Sequence, residues 1–224
     1  MRRGPRALLL VLCLTLAACV SAPPPTANLG SGEPVVLVHG IWDSAEAYHR
    51  MAARLSALGW TVYAVSLHPN DGSVPLERSA QELERFVEAN LGNQRPFDLV
   101  GFSMGGIIAR YYAQRMDGLE RILRLVLIST PDHGTRTAFL EPLSGVAELR
   151  PGSPLLVDLS TDEGRLAAVP LTSVWSPYDL AIEPPSSSHM PVGREIILPV
   201  LSHAWMLTDD RVIQAVVEAL EQPR

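Results

Sequence analysis

A chain of 224 residues suits one domain, or one domain with a leader. Hydrophobic residues make up 47% and charged residues 19%, so a large core is within reach and wholesale disorder is excluded. The formal net charge of −6 argues against a nucleic-acid partner, which would call for a basic face.

The amino end stands apart. Arg2, Arg3 and Arg6 form a positive start, and Ala7 to Ala18 is an apolar run too short to span a bilayer comfortably. The run closes on Leu16-Ala17-Ala18-Cys19, which resembles the lipobox of bacterial lipoprotein signal peptides. The resemblance implies a signal peptide over 1–18, acylation of Cys19, and a lipidated tether over 19–33 that holds an exported protein at a membrane. Val20, rather than an acid, after Cys19 resembles the outer-membrane sorting pattern. The alternative is an ordinary secretory signal cut nearby, giving a periplasmic or secreted protein. Cys13 lies in the leader and Cys19 at the cut, so no pair remains for a disulfide. Loss of the leader removes three arginines and no acids, taking the charge from −6 to about −9. That balance offers no attraction to an anionic bilayer, so any attachment would come from the lipid.

The stretch from Val20 to Pro34, rich in Pro, Ser, Ala and Gly, reads as a linker. Val35 to Val38 is a continuous apolar run, as expected of a strand covered on both faces. Tyr48 to Leu58 has helical spacing and stops at Gly59. Strands are then predicted at Thr61 to Leu67, Phe97 to Phe102, Ile122 to Ser129, Leu171 to Trp175 and Glu195 to Leu198, and helices at Leu76 to Leu91, Met104 to Met116 and Asp209 to Leu220. Six strands alternating with helices imply an α/β fold with about six mostly parallel strands and helices on both faces, spanning 34–224. Functional groups in such sheets gather at the carboxyl ends of the strands. Pro131 to Ala168 is long for a loop and reads as a lid or substrate-binding excursion, with decorative insertion as the bland alternative.

Gly101-Phe102-Ser103-Met104-Gly105-Gly106 lies between a predicted strand and a predicted helix. A serine hydroxyl is a poor nucleophile unless it is presented beside a base, and a sharp strand-to-helix turn presents it. The chain order that accompanies such a turn is serine, acid, histidine, which leaves His133, His189 and His203 as bases. Of these, only His203 follows the last strand and precedes the last helix. His133 follows the serine too closely and reads as structural or lining the site. Asp179 fits the acid after the penultimate strand, with Glu183 as the competitor. Backbone amides of Met104 and Ile41 are the expected oxyanion donors, and His39 is expected to brace its loop. Trp42, Phe139, Leu143 and Leu155 are candidate substrate-lining side chains, although Leu155 and Leu156 could equally pack the excursion onto the sheet.

Five segments, Val36 to Trp42, Leu99 to Arg110, Ile128 to Thr135, Leu149 to Leu159 and Thr172 to Ser188, resemble the small bacterial lipases and esterases of the α/β-hydrolase superfamily. One departure is Asp132, where that family usually has a histidine before His-Gly-Thr. The resemblance implies a minimal α/β-hydrolase fold lacking the first two strands, and hydrolysis of hydrophobic carboxylic esters with no cofactor. No histidine or carboxylate spacing matches a zinc site. An acyltransferase on the same Ser-His-Asp set, or a non-catalytic lipid-binding lipoprotein, are the competing expectations.

The lipobox reading has a direct test. In a bacterial host, metabolic labelling with a fatty-acid analogue should tag the wild type and leave Cys19→Ser untagged. An untagged wild type released into the medium would establish the plain secretory signal.

Overall fold

The computed structural model describes residues 32–223; the signal segment, Cys19 and most of the 19–33 tether lie outside the described residues. Six strands, β1 (Pro34–Val38), β2 (Thr61–Val65), β3 (Phe97–Phe102), β4 (Ile122–Ile128), β5 (Leu171–Trp175) and β6 (Arg194–Ile197), form one sheet in the order β2-β1-β3-β4-β5-β6. Every pairing in it is parallel. Each strand matches its predicted counterpart to within a few residues at its ends.

Parallel strands need crossovers, and those crossovers bury both faces of the sheet. On β1, Val36 and Val38 pack into one core and Val35 and Leu37 into the other, as the two-residue period of a strand requires. The first core is covered by α2 (Leu76–Leu91) and α3 (Met104–Arg115), the second by α1 (His49–Ala57) and α6 (Asp210–Leu220). Helix α2 shows why its sequence settles there. Leu76, Ala80, Leu83, Val87 and Leu91 recur at helical spacing and are all buried, while its acids and arginines face water.

The excursion between β4 and β5 divides into two parts. Its second half, with α5 (Pro154–Ser160) and a 3-10 turn at Glu163–Ala168, buries Leu156, Leu159 and Leu166 in the first core beside α3. Its first half, with a 3-10 turn at Arg136–Phe139 and the short α4 (Ser144–Ala147), arches over the carboxyl ends of the strands.

Close approach of α3 to β1 decides where the turn after β3 can sit. A Cβ on Gly105 would overlap the carbonyls of Val38 and His39, and one on Gly101 would come within 2.6 Å of the Gly106 Cα. Both obstacles are backbone and cannot swing aside. Gly105→Ala should therefore destabilise the fold by about 1–3 kcal/mol in urea titration. Gly164→Ala, in open space, should be neutral or stabilising by up to about 1 kcal/mol.

Candidate active site

Ser103 stands at the junction of β3 and α3 with φ 53° and ψ −125°. A non-glycine residue at positive φ costs of order 1–3 kcal/mol and persists only where its surroundings over-determine it. Here they do. The Ser103 amide donates to the Ile128 carbonyl at 2.9 Å, its carbonyl accepts from Gly106 N at 2.9 Å, and the two glycines admit the neighbouring backbone. The strain leaves the hydroxyl at the N-terminus of α3, facing a cavity, where the helix dipole favours developing negative charge.

His203 opens a 3-10 turn (His203–Leu207) after β6, and Asp179 lies in the loop after β5. Their side chains meet, with Nδ1 of His203 2.7 Å from Oδ2 of Asp179. A carboxylate can only accept, so Nδ1 carries the proton and Nε2 is left with its lone pair. The other Asp179 oxygen accepts from the amides of Ala181 (2.9 Å) and Ile182 (3.2 Å). Burial works to raise the Asp179 carboxyl, but the hydrogen bonds it accepts and its charge interaction with His203 together outweigh burial and hold it below the ordinary value. The two loops are stitched together by Ser176, whose hydroxyl donates to Val200 O at 2.6 Å and accepts from Val200 N at 3.2 Å. The His203 ring rests on Phe102, centroids 4.7 Å apart, which brings it beside Ser103. Ser103 and His203 share the cavity wall with no hydrogen bond between them; such bonds are often long in a free enzyme and tighten when substrate seats.

The other candidates sort clearly. Glu183 turns to Arg136, 3.8 Å away, rather than to His203. His39 is buried, its Nδ1 2.7 Å from Gly40 O while Nε2 accepts from Leu67 N at 2.9 Å. It braces the β1 loop against the chain leaving β2, and burial lowers its pKa and keeps it neutral. His133 is exposed and bonds Ser187 O at 3.3 Å, so it braces the surface and does not line the cavity. Ile41 sits at the cavity, and neither its amide nor that of Met104 has an acceptor among the described residues. The next residue, Trp42, takes φ 59° and donates to Asn70 O at 2.7 Å, which turns the loop over Ser103.

The cavity holds about 470 Å³, within the range of small-molecule sites, and is mostly apolar. Trp42 lines it as expected. Three expected wall residues do not. Phe139 points to solvent under the Arg150 guanidinium, 5.1 Å from its ring, because its 3-10 turn directs Ala138 inward instead. Leu143 and Leu155 pack against the first core, since the short α4 and α5 turn those positions toward the sheet. Their places are taken by Ala138, Leu140, Val146, Leu149 and Ile182. Nothing in the period of so irregular a segment marks which leucine faces in.

A buried ion pair backs the wall and was not foreseen. Arg110 of α3, fully buried, donates to both the carbonyl and Oδ1 of Asp132 at 3.1 Å. It also reaches Leu159 O at 3.4 Å, and Glu163 lies 3.7 Å away. The signal was legible: an arginine amid Gly-Ile-Ile-Ala on a helix, and an acid in the place of the usual histidine.

A model of the alpha/beta hydrolase fold family matches residues 33–204. The chain belongs to that family. Among solved structures, this chain is similar to the mature lipase BlEst2 of Bacillus licheniformis (TM-score 0.67, 16% identity, covering 91% of this chain and 96% of that one). It is also similar to the lin2722 product of Listeria innocua (TM-score 0.66, 16% identity, covering 86% and 95%). At such identities the likeness is one of fold. A Mycobacterium phage D29 protein, provisionally named a non-heme haloperoxidase, is 32% identical over 83 residues, 35% of this chain and 30% of that relative.

The buried pair gives a pH dependence. Burial pushes the Asp132 carboxyl up to about 7 against the opposing pull of Arg110. A carboxyl raised on folding binds a proton that the unfolded chain releases, so its contribution to stability falls as pH rises from about 4 to about 7. The slope from this group should approach about 1.4 kcal/mol per pH unit at most. Urea titrations of Asp132→Asn across that window should lack this component, and an unchanged slope would place the titration elsewhere.

Proposed function

We propose that this hydrolase cleaves carboxylic esters of hydrophobic acyl groups, with Ser103 as nucleophile, His203 as base and Asp179 as its orienting acid. The observation that carries the proposal is the Asp179–His203 bond of 2.7 Å, at the same cavity as a serine held in a strained strand-to-helix turn. Nε2 of His203 takes the hydroxyl proton as Oγ attacks the acyl carbonyl. The oxyanion is received by the amides of Ile41 and Met104, which donate to nothing else among the described residues. Collapse expels the alcohol, protonated by His203, and leaves an acyl-enzyme. Water, deprotonated by the same imidazole, then releases the acid and restores the serine. Asp179 stabilises the imidazolium formed in both steps without taking its proton. The apolar wall of Ala138, Leu140, Val146, Leu149 and Ile182 favours an aliphatic acyl chain over a polar one. The family and the lipase-like fold of BlEst2 agree with this reading.

A serine-reactive alkyl phosphonate should modify the wild type stoichiometrically and leave Ser103→Ala unmodified and without ester turnover. His203→Ala should lose activity about as fully, because the pair acts as a unit, with losses of about 10⁴-fold or more. Asp179→Asn should be severe but milder, and Glu183→Gln close to wild type. Retention of more than about a thousandth of wild-type turnover by Ser103→Ala would identify another nucleophile.

A further inference from the structure

One carboxylate in the cavity wall has no part in that chemistry. Asp43 lies two residues beyond Ile41 and lines the cavity with Ser103 and His203. Its backbone is held on both sides, the amide donating to Gly40 O at 3.4 Å and the carbonyl accepting from Asn70 Nδ2 at 2.8 Å. The capping task for the following 3-10 turn (Ala45–Tyr48) falls to Ser44. The half-buried Asp43 carboxylate thus makes neither a hydrogen bond nor an ion pair among the described residues. Burial raises its pKa while His39 and His203 pull it the other way, so the imidazole of His203 is within its electrostatic reach.

The rest of the wall leaves that charge unanswered. No arginine lines the cavity, the chain contains no lysine, and His203 is the sole basic group among the described lining residues. Glu141 is a second acid in the wall, its backbone carbonyl held by Arg150 at 3.1 Å. A carboxylate part-way out of water interacts more strongly with a ligand's charge than one in bulk solvent. Beside it, the exposed ring of Trp42 offers a face on which an alkylammonium can rest.

We infer that the cavity discriminates among esters by charge, with Asp43 as the specificity-determining residue: substrates bearing an ammonium group are favoured, and those bearing an anion on the acyl or alcohol part are rejected. The inference rests on the cavity being the ester site. It adds to the apolar selectivity a reason for an acid beside the oxyanion loop.

Binding, rather than turnover, separates this inference from the hydrolase reading. Isothermal calorimetry on Ser103→Ala would compare hexyltrimethylammonium with hexanesulfonate at low ionic strength and about pH 8. The cation should bind about tenfold more tightly, and the preference should weaken in about 0.5 M salt. Asp43→Asn in the same background should bring the two probes to within about twofold, with Glu141→Gln having the smaller effect. Equal binding of the probes, failure of both to bind, or a preference that survives Asp43→Asn overturns the inference. A preference abolished by Glu141→Gln and untouched by Asp43→Asn overturns the assignment to Asp43. None of these outcomes depends on whether the protein hydrolyses an ester.

Discussion

The turn at Ser103 is the constraint on which the rest of the molecule depends. A serine at φ 53° is unfavourable by itself and survives because its neighbours leave it no alternative. Gly105 brings α3 against the last carbonyls of β1, Gly106 makes room for Thr130 at the end of β4, and the Ser103 amide is tied to Ile128. All three contacts require β3 to lie between β1 and β4, which is the sheet order observed. The strain is therefore supported by the centre of the sheet rather than by any single loop.

Around that fixed point, the polar groups divide into those that hold and those that can act. His39 and Ser176 are buried and committed to partners, and buried Arg110 is held by the carbonyl and Oδ1 of Asp132. Breaking such a buried pair by removing one partner leaves an uncompensated charge, which commonly costs several kcal/mol. His203 Nε2, the Ile41 and Met104 amides and the Asp43 carboxylate make no hydrogen bond among the described residues, and all belong to residues at or beside one cavity.

Much of this was legible in the residues. Continuous apolar runs such as Val35 to Val38 mark strands buried on both faces, and the helical spacing of Leu76 to Leu91 marks a one-sided helix, because each period reflects which side water reaches. His203 and Asp179 could be picked out by position, since parallel topology puts loops at one end of the sheet. The inward-facing residues of 131–149 could not. In short 3-10 turns and a four-residue helix, orientation is set by tertiary contacts such as Arg150 with Ala138 O and Glu141 O. A lone leucine carries no sign of which way its turn will face. Arg110 stood out as a charge within an apolar run, but its meaning needed its partner, 22 residues on.

The sheet order also spreads the site along the chain. From β3 onward each new strand joins the outer edge of its predecessor, so Ser103 and the Ile41 loop belong to the earlier part of the sheet in sequence. Asp179 and His203 arrive with β5 and after β6, and α6 then closes the second core. A chain emerging amino end first thus presents Ser103 a hundred residues ahead of His203. Under the proposed roles, any chain ending short of residue 203 carries the nucleophile without its base.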